Sequence, residues 1–95
     1  MSKKQAYEDK FKAQLNELNA KIDVLKAKAE QAEASAKADY YETIEDLEKK
    51  RSAAKGKLQE LQHASDDAWE DLKDGMEASW SSFAAAVKSA VSRFQ

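Results

Sequence analysis

The sequence predicts an all-α, elongated coiled coil, and three observations carry that prediction. Ala, Glu, Lys, Leu and Arg supply 51 of the 95 residues, the composition of long helices. Proline is absent and glycine occurs only at Gly56 and Gly75, so little breaks a helix from within. A single apolar stripe recurs at helical stride along nearly the whole chain.

The stripe begins at Tyr7 and runs through Phe11, Leu15, Leu18, Ile22, Leu25, Ala29, Ala32, Ala36, Tyr40, Ile44 and Leu47. It continues through Arg51, Ala54, Leu58, Leu61, Ser65, Trp69, Leu72, Met76, Trp80, Phe83, Val87, Val91 and Phe94. Of its 25 positions, 23 are apolar, with Arg51 and Ser65 the exceptions. It takes in 19 of the 22 large hydrophobic residues and leaves out only Met1, Val24 and Tyr41, a partition that alternating strands could not produce. Over the 87 residues from 7 to 94 the stride averages 3.625 residues, close to that of an unstrained helix.

The first element expected is one long helix over residues 3–63, forming a heptad-type coiled-coil domain over 1–65. Ser2 with Gln5 makes a capping box at its start. Glu17/Lys21, Glu33/Lys37 and Glu45/Lys49 add favourable four-residue pairs along its outer face. Residues 15–36 and 44–61 keep heptad spacing, relaxed by four-four steps at Tyr7–Phe11–Leu15 and Ala36–Tyr40–Ile44. Residues 26–38 hold six alanines and no large hydrophobe, so this zone should pack thinly.

The second element is an amphipathic hendecad helix over 66–94, within a domain of residues 66–95, with a Trp/Phe face. Trp69, Trp80 and Val91 recur every 11 residues, as do Leu72, Phe83 and Phe94. Ser65 is a good N-cap, and Asp66, Asp67, Glu70 and Asp71 place negative charge in the opening turns. The stripe nevertheless crosses Ser65 without slipping phase. Either the chain bends there and returns as an αα-hairpin, or one helix of about 130 Å runs through.

A stripe on an isolated helix has nothing to bury against, so a partner is expected. For self-association the interface residues are Leu15, Leu18, Ile22, Leu25, Ile44, Leu47, Leu58 and Leu61. The face of the second helix, comprising Trp69, Leu72, Met76, Trp80, Phe83, Val87, Val91 and Phe94, would serve a protein partner or a lipid surface, with serines, Lys88 and Arg93 opposite. Residues 49–57 carry five basic side chains and no acid, whereas 66–77 carry six acids against Lys73. Pairing between these stretches favours antiparallel or staggered association.

Other constellations have plainer readings. The acids from Asp66 to Asp74 lack the loop that wraps a hard cation, so they read as a solvated helix start. His63 is the only histidine and has no second ligand nearby. The basic run Lys49–Lys57 has no aromatic stacking platform, which argues against nucleic acid. Tyr40 lies on the stripe as a core candidate, and Tyr41 lies off it. With no cysteine, no thiolate chemistry is available. We expect no enzyme, metal or cofactor. The start of the chain lacks the apolar core of a secretory signal and no apolar run reaches membrane-spanning length, so a cytoplasmic protein is expected, its membrane contact limited to the periphery.

The Met1-Ser2-Lys3 start, the Ala/Lys/Glu-rich middle, and the close Ala68-Trp69-Glu70-Asp71-Leu72-Lys73-Asp74-Gly75 with Ala78-Ser79-Trp80 resemble small bacterial coiled-coil proteins of the stress-response or uncharacterised type. The resemblance spans the chain, is most specific in the Trp-containing close, and transfers no catalytic or ligand residue. Phasin-like granule coats and late-embryogenesis-type helices are looser analogies, resting on periodicity. The expected function is that of a non-catalytic, self-associating structural or stress-associated protein; the alternative is a peripheral binder of membrane or lipid-granule surfaces through the second helix.

Overall fold

The stripe is buried by folding the chain back on itself twice. In the computed structural model, which describes residues 2–94, α1 (Lys3–Gln31), α2 (Ala34–His63) and α3 (Trp69–Arg93) pack into an all-α, up-down-up bundle. The bundle measures 52 × 20 × 18 Å with a radius of gyration of 15.4 Å, larger than the roughly 13 Å of a compact globule of similar length. It is still far shorter than a continuous helix.

One long helix over 3–63 is therefore corrected to two, because the chain breaks at Ala32–Glu33 inside the alanine-rich zone. The physical reason is a comparison of magnitudes. Breaking a helix gives up a few backbone hydrogen bonds, each contributing about 0.5–1.5 kcal/mol net. Full burial of one large apolar side chain contributes about 1.5–3 kcal/mol, and the fold completely buries Ile22, Leu25, Leu47 and Leu61 on these two helices alone. A break among alanines loses the least packing.

At Ser65 the chain also bends, so α2 and α3 are separate helices that pack together instead of one continuous helix. The two turns share one construction. Ala32 (φ −75°, ψ 155°) and Ala64 (φ −75°, ψ 150°) leave the helix in extended conformation. Each donates its N–H three residues back, to the carbonyls of Ala29 and Leu61 respectively, at 3.2 Å. Among the described residues no backbone φ is positive, so neither turn uses the left-handed glycine cap common at helix ends. Beyond Ala64, Ser65 Oγ accepts from Ala68 N–H at 3.2 Å, and the Ser65 carbonyl accepts from Ala68 and Trp69. Ser65 thus organises the approach to α3, while regular helix begins at Trp69.

Fourteen of the fifteen buried hydrophobic residues lie on the stripe, Ala90 being the addition. The two large hydrophobes exposed among the described residues, Val24 and Tyr41, lie off it; Met1 lies outside the described residues. The stripe's two exceptions are also accommodated. Ser65 is exposed at the turn, and Arg51 is half-buried with its guanidinium donating to Asn19 Oδ1 of α1 at 3.1 Å.

Candidate interaction faces

The two faces assigned separately by sequence meet in one core. Ile22, Leu25, Ile44, Leu47, Leu58 and Leu61, expected at an oligomer interface, pack with Trp69, Met76, Trp80, Phe83 and Val87, expected on the partner or lipid face. Within one chain, three helices supply the apolar neighbours that a lone helix lacks. Leu15, Leu18, Val91 and Phe94 pack half-buried at its margins, and Leu72 is half-buried on α3.

Aromatic rings order the end of the bundle where α1 and α3 start. Tyr7 lies edge-on to Phe11 with centroids 4.8 Å apart and tilted against Trp69 at 5.6 Å; Phe11 meets Trp80 at 5.1 Å, and Trp80 meets Phe83 at 5.8 Å. These edge-to-face arrangements suit the quadrupoles of the rings. Lys73 Nζ stands 5.4 Å from the Tyr7 ring centre and 5.3 Å from that of Trp69, within cation–π range. At the opposite end Tyr40 stacks on Phe94 at 4.1 Å.

Polar groups tie the helices together around this core. Lys4 Nζ donates to the carbonyls of Gln62 (3.0 Å) and Ala64 (2.7 Å), placing a cation where the α2 dipole is negative. It also lies 3.9 Å from the buried carboxylate of Glu8. The Tyr7 hydroxyl donates to Glu77 Oε1 at 2.8 Å. Burial first, then the bond and negative charge of Glu77, push the Tyr7 phenol well above its ordinary value of 10.0. Lys26 bridges to Glu48 at 2.9 Å and, mainly through that bond, holds the Glu48 carboxyl below its ordinary value. Lys28 reaches the Phe94 carbonyl at 3.3 Å, and Arg93 lies 3.8 Å from Asp39.

Sequence reasoning missed Lys4, Asn19 and Glu77, because residues 58, 32 and 70 positions from their partners leave no local signal. The expected attraction between 49–57 and 66–77 forms no ion pair among the described residues. Lys49 instead pairs with Glu45 (3.5 Å) and Lys57 with Glu60 (3.6 Å). Among the described residues no three acidic or histidine side chains gather as a metal site, and no helix is long and apolar enough to cross a membrane. An open cleft of about 520 Å³ between α1 and α3 is lined by Lys10, Phe11, Leu18, Glu77, Trp80 and Ala84. No family model, curated protein or solved structure matches the chain.

Proposed function

We propose that this protein is a non-catalytic structural element that associates with further copies of itself through its helices. The observation that supports this reading is the unbroken phase of the stripe: the residues that cover one another within the chain stay on one face when the turns are ignored. The same side chains can therefore be covered by the same chain or by another. The polar groups between helices have structural partners in Lys4–Ala64, Tyr7–Glu77 and Arg51–Asn19. The resemblance of the Trp69–Trp80 segment supports a stress-associated setting in a bacterium. Sedimentation of the full chain across a wide concentration range tests the proposal. A reversible associated species is expected, and a monomer at every concentration overturns it.

A second reading, attachment to a lipid surface, is favoured by the asymmetry of α3. Trp69, Trp80, Phe83 and Val87 point into the bundle while Ser81, Ser82, Ser89 and Ser92 are exposed. Lipid contact requires this helix to turn its inner face outward. Vesicle titration of tryptophan emission is the test, and an emission spectrum indifferent to vesicle charge and curvature removes the reading.

A further inference from the structure

The start of α2 has few of the signals that start a helix. Its N-cap, Glu33, makes no side-chain capping bond and its first turn holds no acid, whereas Ser2 Oγ caps α1 by accepting from Gln5 N–H at 3.1 Å. Eleven of the twelve residues from Ala27 to Ala38 are Ala, Lys, Glu or Gln, all strong helix formers. Glu33 and Lys37 would face one another in a continuous helix; with Glu33 outside the helix, no ion pair joins them among the described residues. Local preference here favours continuing the helix, and tertiary packing alone makes it turn. The stripe residues Ala29, Ala32 and Ala36 keep helical phase through the break.

We infer that Ala32–Glu33 is a hinge through which two copies of this chain exchange α1. When the hinge straightens, α1 and α2 become one helix, and α1 of each copy lies against α2 and α3 of the other. Every contact that α1 makes in the closed bundle is remade, including Lys4 with the end of α2, Arg51 with Asn19, and Tyr7 with Trp69 and Glu77. The exchanged pair also gains helical hydrogen bonds at both hinges. A two-residue connection lies at the short end for antiparallel helices, and short hinges invite such exchange. The loss of translational freedom on pairing opposes it, so closed monomers prevail when dilute and exchanged dimers when concentrated. The inference rests on the self-association reading and specifies its occupant and route.

Glu33→Pro separates the two states. Glu33 has φ −64°, and Ala32 before it has the extended conformation that proline favours in its neighbour. Among the described residues the Glu33 amide donates no backbone hydrogen bond, so the closed turn accepts the ring. A straight helix does not, because the ring meets the Ala29 carbonyl. Sedimentation of the full-length chain is compared with and without Glu33→Pro, with far-ultraviolet circular dichroism verifying that the variant remains helical. The dimer should weaken by more than about a hundredfold. Independently, the wild-type hinge is kept and the pair Lys10→Cys and Ser81→Cys, on opposite walls of the α1/α3 cleft, is joined by a short thiol cross-linker. Exchange yields covalent dimers on a denaturing gel. Association that survives Glu33→Pro, or cross-links confined within chains, overturns the hinge while leaving self-association standing. A chain that never associates overturns both.

Discussion

Lys4 Nζ donates to the main-chain oxygen of Ala64 at 2.7 Å, tying the first turn of α1 to the end of α2. A carbonyl at a helix end has no partner within its own helix, and here a residue 60 positions away in sequence provides one. Lys4→Met keeps the stem and removes the charge. It should cost about 1–2 kcal/mol, a discounted charge-assisted bond, and lower the thermal midpoint by roughly 4–15 °C for a chain of this length. Urea midpoints indistinguishable from wild type would show that water replaces the ammonium without loss.

Phe83 is completely buried where α3 meets the other helices. Phe83→Ala should cost about 3–5 kcal/mol, a large part of the stability of a domain this small. Val24→Ser and Tyr41→Ser, at exposed positions, should each stay within about 0.5 kcal/mol of wild type. A large loss from Val24→Ser at low protein concentration would mean that the outer face of α1 is covered.

The raised Tyr7 pKa contributes to the loss of stability at alkaline pH. Because the folded chain holds the phenol protonated above 10.0, its contribution is complete below that value. It is lost as pH rises from there through the folded pKa. Glu48 has the opposite sign: its contribution is complete above 4.5 and is lost as pH falls through its lowered value. Tyr7→Phe should flatten the alkaline limb of stability against pH, and Glu48→Gln the acid limb to a smaller degree because that pair is exposed. Limbs that remain parallel to wild type would contradict these assignments.

Gly56 and Gly75 lie inside α2 and α3, neither with positive φ, and a Cβ added at either meets nothing within 4 Å. Each glycine costs helix stability without relieving a clash. Gly56→Ala and Gly75→Ala should each stabilise by about 0.5–1 kcal/mol, and the double variant should approach their sum. Calorimetry showing either to be destabilising would point to a partner closely apposed at that glycine.

The membership of the core was legible from one periodicity: the stripe named Ile22, Leu47, Leu61, Phe83 and Val87 without coordinates, and excluded Val24 and Tyr41. What covers the stripe was not legible. Periodicity reports which side of a helix is apolar, but a neighbour on the same chain and one on another chain impose the same pattern. The Ser65 turn could be considered because Ser and Asp bias a backbone toward starting a helix. The Ala32–Glu33 turn could not, since Ala and Glu favour the helix the chain leaves there; only the lack of large side chains set the zone apart. Arg51 looked like a flaw in the stripe until Asn19 supplied its partner.

The three helices of the described residues run up, down and up, so Lys3 and Arg93 lie at opposite poles of the rod. Tension applied there would load the helices in longitudinal shear, sliding rows of interlocked side chains past one another together, instead of peeling them apart pair by pair. A tether attached at those two residues should therefore yield at higher force than one attached at Lys3 and His63, which share a pole, and stretching single molecules in the two geometries would measure the difference.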